Sequence, residues 1–246
     1  MLGISSGLQY ASSALQLLTP AQISVGNLAL WLQFNTGITQ NESDQVSKWD
    51  DQSGNGRHAS QGVDVNKATH ANGALDFESS ESDHYDLAQD ITISSAGGFC
   101  LAVVVELESP TGRLLSKTSN DGFSFIDGTT FRFNSSTTST TTDFVFEANT
   151  FPTGSKMLIV LNRTAGGSNV FTIFKNGSTL EPDTDNSVNE AVSENPFGFG
   201  INVLGSSAGT AQFFDGKVYD VAFWDASLSE AQLVDVNNYF KEIHDL

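Results

Sequence analysis

The sequence has few cysteines and few basic residues, and these shortages exclude several kinds of protein. Cys100 is the single cysteine among 246 residues, so the chain cannot form an internal disulfide. Eleven lysines and arginines stand singly against 29 acidic residues, and the formal net charge is −18. A nucleic-acid-binding surface needs clustered basic residues, and an anionic membrane repels an acidic chain. We therefore expect neither nucleic acid nor a membrane among the partners.

Long apolar runs and linker-like segments are also missing. No apolar run approaches the length needed to span a bilayer. Residues 1–4 begin neither a basic region nor a continuous apolar core, so the start does not have the form of a secretion signal. With five prolines and no Pro- or Gly-rich linker, the length favours one domain. The sequence therefore predicts a single domain that is made in a cytoplasm and is not exported through a signal peptide.

From residue 28 onward, the chain reads as short strands separated by turn residues. The run 99–107 is apolar and rich in β-branched residues, so we expect Cys100 to be buried and unreactive there. Asn176 and Gly177 form a strong hairpin-turn signal. This rhythm predicts a two-sheet antiparallel sandwich. Residues 135–142 are eight consecutive serines and threonines, which we interpret as an exposed loop rather than a polar edge strand.

The last segment has the signals of a helix. Ser227 and Glu230 have the spacing of a capping box. Apolar residues then recur at helical spacing, at Leu233, Val236, Phe240 and Ile243. We predict a helix over 228–243 that packs on one edge of the sandwich through Val236 and Phe240, so that residues 28–246 form one folded unit.

The first 41 residues contain no aspartate, glutamate, lysine, arginine or histidine. Within them, Leu8, Leu15 and Leu18 fall on one helical stripe. A neutral, leucine-rich segment can be buried without desolvating an ion, so we expect residues 1–27 to be a docking arm. It could dock on its own sandwich or on a neighbouring subunit, and we favour the neighbour.

Several stretches resemble one family of β-sandwiches. LALWL at 28–32 and VSKWDDQSGNGRHA at 46–59 are similar to the opening strand and SGNG turn of laminin-G-like, concanavalin A-like modules. ALDF at 74–77, YDL at 85–87 and FDGKVYDVAFW at 214–224 follow in the order expected for that family. The resemblance implies an all-β, two-sheet antiparallel jelly roll with a short C-terminal helix. It does not imply a function, because this sandwich hosts lectins, hydrolases and structural parts.

The same resemblance suggests a metal site. In related modules, an acidic residue of the SGNG turn and one of the closing strand lie near a structural calcium. Asp51 and Asp220 match those positions, whereas Tyr219 stands where an acidic residue is common and Glu78 replaces a glycine. The alternative is that Asp51 caps the turn without a metal. Calcium at Asp51 and Asp220 is thus a candidate cofactor, and no cofactor is the other reading.

Three functions remain for such a module. A glycoside hydrolase needs paired carboxylates, and Glu106 and Glu108 share a strand face, but the glucanase ExDxxE pattern fails here because Pro110 and Thr111 interrupt it. We therefore expect no enzyme activity. A lectin-like module that recognises cell-surface glycan needs exposed aromatic residues, whereas the tryptophans (Trp31, Trp49 and Trp224) lie in strand motifs where burial is expected.

The third function is structural. The start MLGISSG resembles small virion proteins of tailed marine phages. This resemblance implies a capsid decoration, cement or fibre-type component, made in the host cytoplasm and incorporated in the virion. Its partners would be capsid or tail proteins and further copies of itself in a homo-oligomer. We favour this function, with glycan recognition as the alternative.

Overall fold

The computed structural model describes residues 17–94, 97–118, 121–135, 140–165, 171–181, 199–208 and 211–246. These residues form two antiparallel sheets packed face to face, with one long helix after the last strand. The predicted all-β sandwich with a C-terminal helix is therefore confirmed. Elements are numbered along the chain. None of the helices in this part of the chain is both long and apolar enough to cross a bilayer.

The first sheet, here called the covered sheet, has the C-terminal helix on its outer face. Its spatial order is β15-β14-β13-β8-β17-β6-β5, and β1 also pairs with β17. In chain order these strands are β1 (Leu28–Leu32), β5 (Thr69–Ala71), β6 (Ala74–Phe77), β8 (Phe99–Leu107), β13 (Lys156–Arg163), β14 (Phe171–Lys175), β15 (Ser178–Leu180) and β17 (Gly216–Trp224). The hairpin between β14 and β15 turns at Asn176 and Gly177, as predicted, and both residues have positive φ.

The second sheet, here called the open sheet, has no described helix on its outer face. Its spatial order is β12-β11-β10-β9-β16-β7-β4-β3-β2. In chain order these strands are β2 (Ile38–Gln40), β3 (Val46–Trp49), β4 (Ala59–Ser60), β7 (Tyr85–Ile93), β9 (Gly112–Ser116), β10 (Gly122–Phe125), β11 (Thr130–Ser135), β12 (Thr140–Val145) and β16 (Phe199–Leu204). Strand β7 shows the expected alternation, with Tyr85, Leu87, Ile91 and Ile93 buried and the intervening residues exposed.

Two separate cores explain why β8 is apolar along its whole length. Phe99, Leu101 and Val103 point into the core between the sheets. Cys100 and Ala102 point the other way, into a second core under the helix. Because both faces of β8 are covered, its sequence needs no polar alternation. Cys100 is fully buried, and burial raises the pKa of its thiol, which confirms that this cysteine is not exposed for reaction.

The C-terminal helix α2 spans Glu230–His244 and begins two residues later than the sequence predicts. Its N-cap is Ser229, whose hydroxyl accepts a hydrogen bond from Gln232 N, while the Gln232 side chain reaches back to Ser229 N. Ser227 is not the cap because Leu228 is held outside the helix: its N–H donates to Asn162 Oδ1 at 2.8 Å, and its carbonyl accepts from Asn162 Nδ2 at 3.3 Å.

The helix packs through the predicted residues, but on the outer face of the covered sheet over β8 and β13 and not on an edge of the sandwich. Val236 and Phe240 are fully buried in the second core. Ile243, predicted to belong to the apolar stripe, is 43% exposed, and the neighbouring His244 is buried instead. The reason is a partner in the sheet, because His244 Nε2 lies 2.7 Å from Asp220 Oδ2.

The described part of the N-terminal segment, from residue 17 onward, belongs to the same second core. Leu17 and Leu18 pack against it, and a short helix α1 (Pro20–Ile23) contacts α2. Gln232 Nε2 donates to the carbonyl of Ile23 at 2.8 Å. Residues 17–27 therefore dock on their own sandwich, which differs from the favoured expectation of docking on a neighbour and moves the boundary of the predicted arm. Leu8 and Leu15 lie outside the described residues.

The hydroxyl-rich stretch is not simply the exposed loop predicted from its composition. Ser135 ends β11, and Thr140–Thr142 belong to β12, with Asn134 opposite Thr141 and Ser135 opposite Thr140. Threonine is β-branched and suits a strand, and β12 is the polar edge of the open sheet. The edge-strand alternative is the correct one for these residues, whereas residues 136–139 lie outside the described part.

Candidate ligand-binding site

Asp51 holds the SGNG turn together because both of its carboxylate oxygens accept hydrogen bonds from the surrounding chain. Its Oδ1 accepts from Trp31 N and Ser53 N, both at 2.9 Å. Its Oδ2 accepts from Ser53 Oγ at 2.8 Å and from Arg57 N at 2.9 Å. Four donors satisfy this carboxylate, so the arrangement is that of a turn cap.

Asp220 is also occupied by protein donors, on the other side of Trp31. Its Oδ1 accepts from the Trp31 indole N–H at 3.3 Å, and its Oδ2 lies 2.7 Å from His244 Nε2. Asp220 is 1% exposed, and burial raises the pKa of this carboxyl although the His244 hydrogen bond opposes the shift. The two predicted metal ligands are thus linked through Trp31, which donates its backbone N–H to Asp51 and its indole N–H to Asp220. Calcium at this pair stays a prediction that the hydrogen bonding disfavours.

The predicted carboxylate pair lies on the outer face of the covered sheet and shares one lysine as its ion-pair partner. Lys217 Nζ lies 2.6 Å from Glu108 Oε1 and 3.4 Å from Glu106 Oε1. Ligand oxygens of Asp76, Glu78 and Glu108 come within 4.8 Å of one another at the same place. This is an acidic surface held by a cation. Neither carboxylate faces an enclosed cavity among the described residues.

A different place in the structure has the shape of a ligand site. A cavity of about 330 Å³ opens on the outer face of the open sheet, where strands β9, β10 and β11 run side by side. Arg113, Ser124 and Arg132 line its floor, and Gln212 and Phe213 form one wall. The volume is at the lower end of the range for small-molecule sites, about 300–1,000 Å³.

Strand pairing places the three floor residues in a single row. Ser124 of β10 is the register partner of Arg132 on β11 and of Arg113 on β9. The register of β9 shifts between the Phe123 and Ser124 pairs, so that Leu114 and Leu115 both face the core. This bulge turns Arg113 onto the outer face, in line with Ser124.

The wall of the cavity lies tightly on β9. A side chain at Gly112 would bring its Cβ within 2.8 Å of Phe214 Cα and 3.0 Å of the Phe213 carbonyl oxygen. Arg113 N donates to the carbonyl of Gln212 at 2.8 Å, and Arg113 Nη2 donates to Gln212 Oε1 at 3.0 Å. Phe214 is buried in the core between the sheets, which leaves the half-buried Phe213 at the cavity.

The floor is buried and polar. Arg113 is 3% exposed and Ser124 is 4% exposed. Ser124 Oγ has no hydrogen-bond partner among the described residues, although it is buried. Burial lowers the pKa of the Arg113 guanidinium, and the nearby positive charge of Arg132 lowers it further. A buried hydroxyl and two guanidinium groups therefore converge on one small cavity with an aromatic wall.

Sequence reasoning missed this cavity because its cations are 19 positions apart and read as isolated residues. A signal was present, however, because the stretch from 113 to 133 reads as a strand meander with a turn at Asp127 and Gly128. Counting outward from a two-residue turn at Asp127 and Gly128 would pair Ser124 with Phe131, whereas the structure has a three-residue loop over 127–129 and pairs Ser124 with Arg132. The three tryptophans are buried, as expected, so the aromatic residue at the cavity is a phenylalanine.

Solved structures with the same fold include several binding domains. The binding domain of Paraclostridial Mosquitocidal Protein 1 has a TM-score of 0.53 at 16% identity, covering 87% of this chain and 52% of that one. Domain 4 of a GH43 extracellular arabinanase from Geobacillus stearothermophilus, solved in complex with arabinotriose, has a TM-score of 0.53 at 14% identity, with coverages of 86% and 98%. Trypanosoma rangeli sialidase in complex with sialic acid has a TM-score of 0.55 at 14% identity, with coverages of 91% and 34%.

These likenesses are to the fold. The chain spans between about a third and a half of the first solved structures that it matches. No curated protein matches the sequence. The family model described as the concanavalin A-like lectin/glucanases superfamily matches residues 78–234, which is more than half of the chain. The chain therefore belongs to the concanavalin A-like lectin/glucanase superfamily.

Proposed function

We propose that this domain binds carbohydrate and does not cleave it, through the cavity on the outer face of the open sheet. The observation that carries the proposal is the row Arg113–Ser124–Arg132, which presents hydrogen-bond donors beside the ring of Phe213 in a cavity of about 330 Å³. Sites for small ligands combine an apolar or aromatic wall with a few converging polar groups. Domain 4 of the arabinanase, with the same fold, was solved in complex with arabinotriose.

The absence of cleavage is proposed from the carboxylates. Glu106 and Glu108 are both tied to Lys217 on the outer face of the covered sheet, away from the cavity. A hydrolase needs one carboxyl group as a proton donor and a second as a nucleophile or base beside the sugar. We expect no product from any bound glycan. Cleavage that is lost in Glu106→Gln would overturn this part of the proposal.

The test of binding uses a blocking variant and a matched control. Thr111 is exposed at the rim of the cavity, and Thr92 is exposed on the same face of the sheet, on β7. The labelled protein should bind a subset of glycans on an array. Thr111→Trp should abolish that binding because its ring fills the cavity, whereas Thr92→Trp should retain it. Failure of the unmodified protein to bind any glycan, or full binding by Thr111→Trp, would refute the proposed function.

A virion component is the second candidate, and the distribution of charge favours it. Residues 1–41 carry no charged side chain, whereas the rest of the chain carries all 29 acidic and eleven basic residues. A neutral segment suits a buried contact with a capsid, a tail protein or another copy, and the acidic sandwich suits the outer surface. Mass spectrometry of purified phage particles tests this role, since a structural component is present in fixed stoichiometry. The two roles are compatible, because a virion protein can present a glycan-binding domain.

A further inference from the structure

Two of the four arginines of the chain line the cavity, and the other two make contacts elsewhere in the sandwich. Arg57 Nη1 donates to the Ala29 carbonyl at 2.9 Å and so fixes the SGNG turn. Arg163 is buried over the Phe99 ring and donates to the carbonyls of Ser94 and Gly97. Both have a structural explanation within the sandwich. Arg113 and Arg132 also have protein partners, and Arg113 donates to Gln212 Oε1 at 3.0 Å and to the Asp121 carbonyl at 3.4 Å, but these two arginines in addition line a cavity.

The charge of this cavity is opposite to that of the protein. The net charge of the chain is −18, yet the residues that line the cavity include two arginines and no aspartate or glutamate. Asp121 lies close to Arg113 and acts on it by its charge. Asp121 holds Thr118 and Gly200 N with its carboxylate, and Asp143 is the register partner of Arg132 on the edge strand. The charged residues that line the cavity are therefore both positive, in a chain that is acidic as a whole.

The spacing of the row suits a single oxyanion. Neighbouring strands lie about 4.8 Å apart, so Arg113 and Arg132 are separated by about 10 Å at the backbone, with Ser124 between them. Long guanidinium side chains can close on a carboxylate or sulfate from both sides, and such charge-assisted hydrogen bonds are stronger than neutral ones. The buried Ser124 Oγ supplies a third donor at the centre and has no partner among the described residues.

We infer that the glycan bound here is acidic: a carboxylate or sulfate of a terminal sugar sits between Arg113 and Arg132 and accepts a hydrogen bond from Ser124 Oγ. The inference rests on the proposed function and adds the ligand class. Phe213 then contacts the apolar side of the sugar ring, and the small volume admits one terminal sugar rather than an internal stretch of a long chain. An anion also offsets the repulsion between the two guanidinium groups, which adds to burial in lowering the Arg113 pKa.

The experiment compares acidic sugars with their neutral counterparts. Binding is measured by isothermal titration with glycans that carry a terminal uronic acid or a terminal sulfated sugar, and with the carboxyl-reduced or desulfated form of each. We expect the acidic form to bind at least about ten-fold more tightly, the magnitude of one charge-assisted hydrogen-bonding group. This preference should shrink as salt is raised, because screening weakens the charge interaction. Comparison of the uronic acid glycans with the sulfated glycans shows which oxyanion the site prefers.

Two variants and one control connect the preference to the row. Arg132→Gln should lower the affinity for the acidic form far more than the affinity for the neutral form, so that the ratio of the two affinities falls towards one. Ser124→Ala, which deletes an unpartnered hydroxyl, should keep the melting temperature and weaken acidic binding. Lys48→Gln, near the opposite edge of the same sheet, removes one positive charge far from the cavity and should change neither.

The outcomes separate this inference from the proposed function. If acidic and neutral forms bind equally, or if Lys48→Gln lowers acidic binding as much as Arg132→Gln does, the acidic-ligand inference is wrong and glycan binding stands. If no glycan of either kind binds, the proposed function itself fails.

Discussion

Replacing Asp83 by asparagine should stabilise the protein at neutral pH, although the residue is buried and hydrogen-bonded. Asp83 is 1% exposed, its Oδ2 accepts from Glu78 N at 2.9 Å, and its Oδ1 has no partner among the described residues. Burial raises the pKa of this carboxyl to about 6, against 3.8 for an unperturbed aspartate. The charged form is therefore disfavoured in the folded state.

The sign follows from the order of the two pKa values. Because the folded value is the higher one, the stabilising contribution of the protonated carboxyl is complete below pH 3.8 and is lost as pH rises through about 6. A difference of about 2 pKa units corresponds to about 3 kcal/mol at pH 8. Asparagine keeps the oxygen that accepts from Glu78 N and has no charge to desolvate. Asp83→Asn should thus match the wild type near pH 4 and exceed it by up to about 3 kcal/mol at pH 8.

The assay is thermal unfolding of both proteins between pH 4 and 8. For a domain of this size, about 3 kcal/mol corresponds to a rise of about 6–12 °C in the melting temperature. Asp86→Asn, an exposed aspartate three residues further along the chain on β7, is the matched control and should show no such pH-dependent difference. The reasoning is refuted if Asp83→Asn is destabilised equally at pH 4 and pH 8, because the carboxylate would then have a role that asparagine cannot replace.

Three further predictions concern the helix, the metal and the N-terminal segment. Phe240→Ala should lower the free energy of unfolding by about 3–5 kcal/mol because the ring is fully buried, whereas Ile243→Ala on the same helix should have a small effect. Equal melting temperatures for Phe240→Ala and the wild type would contradict the described packing of the helix. Millimolar calcium should leave the melting temperature unchanged, since protein donors occupy Asp51 and Asp220; a rise that Asp51→Asn abolishes would establish the metal site. Deletion of residues 2–16 should leave the sandwich folded, as judged by circular dichroism, and should prevent assembly on a particle or oligomer. Deletion of residues 2–27 should also lower the stability of the sandwich, because Ile23 is buried under α2. Normal assembly after the shorter deletion would exclude the segment as an anchor.

The sequence was sufficient for the strands and turns because their signals are local. The LALWL stretch forms β1, and the hairpin at Asn176 and Gly177 follows from residues that tolerate positive φ. Local signals failed where two alternatives fitted equally well. Ser227 and Ser229 are each followed three residues later by a residue able to complete a capping box, and the choice is made by Asn162, 66 positions from Leu228.

The site could not be read from the sequence because sheet register creates it. Arg113 and Arg132 become neighbours through two strand pairings and a bulge, none of which composition records. The same is true of Asp220, whose partner His244 lies on the helix. Its position on the closing strand was correctly noted from the sequence. The contacts that occupy its carboxylate come from Trp31 and from the last turn of α2.

The place of β17 at the centre of the covered sheet has a consequence for how the protein is made. Strand β8 needs β17 along one edge, yet Phe99–Leu107 leaves the ribosome long before Gly216–Trp224. During that interval the nascent chain carries an apolar strand, with Glu106 as its single charge, whose edge has no native partner. Such segments pair readily with other chains, and contacts this distant in sequence form slowly. We expect folding to begin only after synthesis is nearly complete, with yield in a heterologous host limited by chaperone supply and improved by slower expression at low temperature.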